Sequence, residues 1–301
     1  MTMATAGEKI YEWDKQPRMP VPAPPRGSCD CQFHLYDDPA KFPPRPNPPY
    51  PPIESATFTE AQKMHKAIGF GRGVIVHSAI YGSDHRLLLH ALESLNDRDR
   101  YRGIGIVDDR VSDKELERLH AAGGRGARFN FVRFLALDQR EAEIKRSMGR
   151  LRELGWYARL HVNGEDLLNN SNLLRSLEDV PMVIDHFGHV GFEGGMNRPV
   201  IRWVLDMLKQ ENWWMMVSNG NRDSKMDAGW DDAIPYGKAF IEAAPDRIIW
   251  GTDWPHPQWT KRMMNDAEEV ELLYRYVDGD ATLLRKILVD NPARLHGFKQ
   301  Q

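Results

Sequence analysis

Eight short runs of β-branched, aromatic and small residues recur along the chain, and helix-like stretches separate most of them. This alternation limits the fold more than any other feature. The runs are "CDCQFHLY" from Cys29, "RGVIVHSAI" from Arg72, "YRGIGIV" from Tyr101, "GARFNFV" from Gly126, "YARLHV" from Tyr157, "PMVIDHFG" from Pro181, "WWMMVSN" from Trp213 and "RIIWGTDW" from Arg247. They read as buried strands. Between them, "SDHRLLLHALESL", "SDKELERLHAAG", "DQREAEIKRSMGRLRELG", "RPVIRWVLDMLKQ", "IPYGKAFIEAAP" and "DAEEVELLYRYV" read as helices. Ser83 and Ser112 stand as N-caps, Glu115 completes a capping box with Ser112, Gly123 is a C-terminal stop, and Asp138 opens the next helix. Alternation at this count over 301 residues predicts an α/β protein, a (β/α)8 TIM barrel. The rival is a doubly wound open sheet. No G-x-G-x-x-G or Walker-type loop follows any strand, which weakens its nucleotide-binding version.

The barrel is expected over residues 27–301. Residues 1–26 are polar and then proline-rich, and they read as an extended arm on the surface or on a partner subunit, a hint of a homodimer. A second proline cluster, "PAKFPPRPNPPYPP", follows the first strand and reads as a long stiff loop. Forty basic residues face 43 acidic ones, with no basic stripe, so nucleic acid is not an expected partner. No apolar run approaches membrane-spanning length, and the N-terminal segment has no signal-peptide core. Cys29 and Cys31, two apart on one strand, rarely reach disulfide geometry and read as reduced thiols. A cytoplasmic protein is the expectation.

In such a barrel the chemistry sits where the strands end. The first strand ends in Gln32 and His34, which share a face because they lie two apart. The second ends in His77 and Ser78, the fourth carries Arg128 and Asn130 with Arg133 beyond, and the fifth ends in Arg159 and His161. The sixth ends in Asp185 and His186 with His189 following, the seventh in Ser218 and Asn219 with Arg222 after, and the eighth in Asp253 with His256 beyond. Each has a plain structural reading. His77 and His256 taken singly suit satisfied interior groups, Asp253 a helix cap, Arg128 a buried ion pair and Arg222 a surface loop. His85 and His90 fall on a helix pattern as surface or packing residues. Together, ionisable groups at six of eight strand ends exceed what packing explains, because charges inside a barrel are costly unless paired.

With these positions set out, the chain resembles the amidohydrolase superfamily, and most closely the branch that holds pyrone-dicarboxylate lactonases and galactarolactone isomerases. The motifs that carry the likeness are "RGARFNFV", "VIDHFG", "RIIWGTDWPHP" and "LVDNPARLHGF", over about residues 28–298. Metal-dependent members carry H-x-H on the first strand. Here His34, His161, His186 and Asp253 match the family pattern and Gln32 departs from it. An amide oxygen is a weaker zinc ligand than imidazole, and the branch that this chain resembles includes enzymes working without metal and galactarolactone isomerases that also look like Q-x-H on the first strand. The resemblance therefore implies a site needing no cofactor; if zinc is bound, His34, His161 and Asp253 are the ligand set. It also implies a carboxylated lactone as substrate, held by Arg128 and Arg222, with Ser78 and Tyr81 as second-strand contacts. His189 stands where such lactonases have arginine, and His161 where they have tyrosine, which favours a lactone other than pyrone dicarboxylate.

Lactone opening needs an activated water and a stabilised oxyanion. Asp253 is the expected general base, and His34 and His186 the groups that polarise the carbonyl in place of a metal. The Gln32 amide can donate to that carbonyl or to His34, or simply bond a neighbouring strand end. Tyr50, at the tip of the proline-rich loop, walls the pocket, and His256 completes the substrate-binding set. The alternatives are a lactone isomerase, a zinc-dependent amidohydrolase or decarboxylase, and a non-enzymatic binder that has kept the pocket.

Overall fold

Strand β1 (Cys29–Phe33) opens an eight-stranded sheet whose spatial order is the chain order: β2 (Arg72–Val76), β3 (Tyr101–Gly105), β4 (Gly124–Asn130), β5 (Tyr157–His161), β6 (Met182–Ile184), β7 (Trp213–Met216) and β8 (Ile248–Ile249). All neighbours are parallel. The computed structural model describes residues 8–53, 55–132, 141–177 and 180–299; Arg133 and Asp138 lie outside them. Parallel neighbours require crossovers. These are built from α1 (Phe58–Ile68), α2 (Arg86–Glu93), α3 (Asp113–Ala122), α4 (Glu141–Glu153), α5 (Gly164–Asn169), α6 (Ser171–Arg175), α7 (Pro199–Leu208), α8 (Gly220–Asp223) and α9 (Ile234–Ala243). After β8 the chain continues as α10 (Asp266–Tyr276), α11 (Ala281–Arg285) and α12 (Asn291–His296).

The first and last strands meet at a seam of three backbone bonds. Cys31 N donates to Trp250 O at 2.9 Å, Asp253 N to Gln32 O at 2.8 Å, and His34 N to Trp254 O at 2.7 Å. That contact closes the sheet, and the fold is the expected (β/α)8 TIM barrel. One apolar cluster fills the barrel, with Cys29, Cys31, Val76, Ile104, Val183 and Ile249 among its members. A larger one fills the space between strands and helices. Both cysteines are free and buried.

Strand β1 does not alternate cleanly. Its register against β2 shifts between Asp30 and Phe33. Asp30 and Phe33 both meet His65 of α1: Asp30 Oδ2 lies 3.0 Å from His65 Nε2, and the Phe33 ring packs edge-on at 4.7 Å. Gln32 and His34 instead turn into the barrel, so the shared face expected for this pair is present. Gly251 permits the seam to be this tight. A Cβ there would stand 2.5 Å from Gln32 N.

Several helix ends differ from the sequence reading. Helix α1 is hidden behind the proline cluster, yet Thr57 caps it by accepting from Glu60 N, and Gly69 ends it at φ 79°. Ser83 is not the cap of α2. The helix begins three residues later, and Asp84 Oδ1 accepts from Arg86 N at 3.2 Å. Ser112 does cap α3, and Gly123 ends it with φ 118°. The capping box does not close, because the Glu115 carboxylate is held by His85 Nδ1 at 2.8 Å. His85 is thus a buried packing residue, whereas His90 is exposed.

Within the N-terminal arm, residues 8–26 form no helix or strand and lie against the barrel. Tyr11 N donates to Trp259 O at 2.9 Å, and Trp13 packs edge-on against Trp254 with centroids 5.2 Å apart. Arg18 grips Glu271 of α10 through both guanidinium nitrogens, at 2.6 and 2.7 Å.

Candidate active site

The β1–β8 seam sets Gln32, His34 and Asp253 side by side, and β6 and β7 add His186 and Asn219. His186, Asn219 and Asp253 all have positive φ (49°, 60° and 60°). That conformation is uncommon outside glycine and concentrates at functional sites.

Asp253 is the hub. Its Oδ1 lies 3.2 Å from His34 Nε2 and 3.1 Å from Gln32 Nε2. Its Oδ2 accepts from Asn219 Nδ2 at 2.9 Å and faces Arg222 Nη2 at 3.5 Å. Burial alone would raise its pKa, but its bond to His34 and the Arg222 guanidinium reverse that and hold the carboxyl well below its ordinary range. His34 Nδ1 lies 2.8 Å from Val76 O, a pure acceptor, so that nitrogen carries a hydrogen.

Gln32 is oriented from below. Arg159, fully buried, donates to Gln32 Oε1 at 2.5 Å, to Cys31 O at 2.7 Å and to Asp185 Oδ1 at 2.7 Å. A guanidinium only donates, so the Gln32 oxygen faces it and the amide NH2 faces upward. Both hydrogens of that NH2 are used, one on Asp253 Oδ1 and one on His186 Nε2 at 2.7 Å. This departs from the expected donation to His34 or to a substrate carbonyl. It matches the plainer reading, a bond to neighbouring strand ends.

His186 also departs from its expected role. Its Nε2 accepts from Gln32, and its Nδ1 lies 2.8 Å from Ser218 Oγ, so the ring proton sits on Nδ1. Burial pushes this imidazole well below its ordinary pKa. A neutral ring of this tautomer has no hydrogen to offer a carbonyl oxygen. His186 therefore positions Gln32 and does not polarise a substrate.

The same donors bear on a metal. Gln32 directs its N–H hydrogens at the lone pairs of Asp253 and His186, where a divalent cation would need free acceptors. The set His34, His161 and Asp253 is not among the described side-chain clusters that could hold a metal ion; that description fits His256, Asp266 and Glu269, whose ligand atoms all lie within 4.8 Å of one another. Gln32 thus engages two acceptors at the seam that a zinc ion would use.

Asp253 lines one cavity, and Arg222, which lines another, stands beside it. The inner one, about 20 Å³, is lined by His34, Tyr50, Arg128, His161, His186 and Asp253 together with Ala79 and Pro257. That is room for about one water. The outer one, about 260 Å³, is lined by His189, Arg222, Asp223, Lys225, Trp259 and Lys261 among others. Arg222 links the two: its guanidinium lies over the Trp259 ring at 4.9 Å and reaches towards Asp253. Arg128 is anchored by Asp185 Oδ2 at 3.1 Å, so Asp185 holds two arginines. Tyr50 comes down from the proline-rich loop to Tyr36 and Ser78, at 3.0 and 3.1 Å.

Four sequence candidates line neither cavity: Gln32, bonded to Arg159, Ser78, bonded to Tyr50, and His256 and Tyr81. His256 turns away to Asp266 Oδ1 on α10, at 3.0 Å. Tyr81 packs at a tilt against His77 with centroids 5.7 Å apart, and the pKa of its buried hydroxyl is pushed up to about 12 by burial. Two contributors were missed. Asp30 accepts from Gln32 N, Thr252 N and Thr252 Oγ1 at 3.0, 2.9 and 2.6 Å, pinning the seam from outside. Asp223 holds His189. Strand parity alone would put Asp30 on the Gln32 face inside the barrel, and Asp223 lies beyond its strand end, so neither role was legible in the sequence.

A closed parallel barrel whose polar groups converge at the C-terminal strand ends is the architecture of amidohydrolases. The family model described as amidohydrolase matches residues 29–298, and the chain belongs to that family. Among curated proteins it is 34% identical over 278 residues to a 4-sulfomuconolactone hydrolase of Rhizobium radiobacter, covering 91% of each chain. It is 31% identical over 294 residues to a 2-pyrone-4,6-dicarboxylate hydrolase of Comamonas testosteroni, covering 95% of each. A D-galactarolactone isomerase of Agrobacterium fabrum is 26% identical over 283 residues, with 92% and 93% covered. Among solved structures, an apo protein of Agrobacterium tumefaciens superposes with a TM-score of 0.82 at 24% identity, over 94% of this chain and 100% of that one.

Proposed function

We propose that this protein is a lactonase that opens a carboxylate-bearing lactone to a linear acid, without a divalent cation. The observation that carries the reading is an ionised Asp253 beside a cavity with room for one water, with donors converging on both carboxylate oxygens. Water in that cavity loses a proton to Asp253 as its oxygen attacks the lactone carbonyl. The cationic Arg128 supplies positive charge where the oxyanion develops. Asp253 then returns its proton to the ring oxygen as the C–O bond breaks. Arg128 and Arg222 suit capture of the substrate carboxylate, Arg being adapted to bidentate contact. Two relatives over 30% identical across more than nine-tenths of the chain are lactone or pyrone hydrolases by name, which supports the same reaction class.

The test is turnover of a panel of carboxylated lactones in 18O-labelled water, before and after exhaustive chelation. One solvent oxygen per product and undiminished activity after chelation are expected, with activity abolished in Asp253→Asn. Product without solvent oxygen defeats hydrolysis in favour of isomerisation. Activity lost on chelation and restored by zinc defeats the cation-free part alone.

A further inference from the structure

Two imidazoles beside the cavities each have a buried ring nitrogen with no partner. His161 is fixed through Nδ1, 3.1 Å from Asn130 Oδ1, and its Nε2 bonds nothing. His189 is fixed through Nδ1, 3.1 Å from both carboxylate oxygens of Asp223, and its Nε2 is likewise unpartnered. Amide and carboxylate oxygens only accept, so each Nδ1 carries the hydrogen and each Nε2 of a neutral ring presents a lone pair. Burial pushes both rings below their ordinary pKa and so keeps them neutral.

Their placement gives this a consequence. His161 lines the inner cavity and His189 the outer one, with ring centroids 5.5 Å apart. The inner cavity is too small for a lactone ring, so a lactone at Asp253 has to extend past Arg222 towards the outer cavity, alongside both imidazoles. Buried acceptors left without a donor are costly. The group that satisfies them is an O–H, whereas a carboxylate there would set lone pair against lone pair.

We propose that His161 and His189, the latter oriented by Asp223, form a hydroxyl-reading wall. It selects a polyhydroxylated sugar-acid lactone carrying one carboxylate over an unsaturated lactone carrying two. This rests on the lactonase reading for the reaction but not for the ligand preference. Asp223 is then a positioning residue, and His189 a specificity-determining one that touches substrate.

The experiment compares galactarolactone with 2-pyrone-4,6-dicarboxylate in the wild type and in His189→Phe, reading kcat/KM for each. A site built to bond a hydroxyl rejects a ligand that lacks it strongly, so a wild-type preference of roughly 10²-fold or more for the hydroxylated lactone is expected. In His189→Phe that ratio falls at least about tenfold, through a higher KM for the hydroxylated lactone. Should the variant not fold, competitive binding of the two open-chain acids to wild-type protein reads the same preference. Equal or reversed preference, or a ratio unmoved in a folded His189→Phe, overturns the inference. Turnover of neither lactone, with the hydroxylated compounds still bound more tightly, counts against the lactonase reading and upholds the wall. Binding of neither overturns the wall as well.

Discussion

Gln32 shows how one side chain decides the character of a site. Its oxygen is committed to Arg159, so its two hydrogens are delivered to Asp253 and His186. The isosteric change Gln32→Glu tests this, because it keeps the contact with Arg159 and replaces the NH2 by an oxygen. A second carboxylate beside Asp253 raises the pKa of the base, since like charges disfavour joint ionisation. A fall in kcat/KM at neutral pH is expected, because the raised pKa leaves Asp253 less often ionised. The acid limb of the pH–rate profile should move to higher pH. A variant with wild-type rate and an unmoved limb would make Gln32 a bystander. The motif was legible in the sequence as an exception to H-x-H, but the partners of the amide were not. They depend on Arg159, whose contacts cross the barrel from β5 to β1.

At the scale of elements, strand count, order and the strand-end positions follow from alternation, and eight parallel strands form as the sequence leads one to expect. What periodicity cannot show is a local slip. In β1 the register shift turns Asp30 outward and Gln32 inward, although they lie two apart. Helix ends were legible where a side chain had one available partner, as at Ser112. They were not where two partners competed, as at Glu115, which His85 claims. The close approach of β8 to β1 yields a second expectation. Gly251→Ala places a methyl group 2.5 Å from a backbone nitrogen, not against a yielding side-chain tip. Overpacking of this kind typically costs about 1–3 kcal/mol. The urea midpoint should fall with m unchanged, and activity should drop because the shifted strand carries Gln32. A midpoint equal to wild type would show that the seam has slack.

The whole molecule carries an acid sensitivity set by its buried imidazoles. His77, His161, His186, His189 and His296 are all buried, and burial is the leading cause that pushes each below its ordinary value. In the unfolded chain they titrate near roughly 6.5. Below that pH the unfolded state binds protons that the native state refuses, so stability falls as pH falls. Asp253 is shifted downward as a carboxyl, so the stability it contributes persists until pH drops below the unfolded carboxylate value of roughly 4. Urea titrations should give midpoints that change little from pH 8 to 7 and fall between roughly pH 6.5 and 5, ahead of any carboxylate-linked loss. A flat midpoint down to pH 5 would mean that these rings admit protons in place. The seam between β1 and β8 has one more outcome. Because Gln32, His34 and Asp253 straddle the first and last strands of the ring, assembling the proposed catalyst and shutting the cylinder are a single event. An open form with seven strands in place is chemically silent. During refolding, regained turnover therefore serves as a clock for the final stitch, later than any signal from helix content.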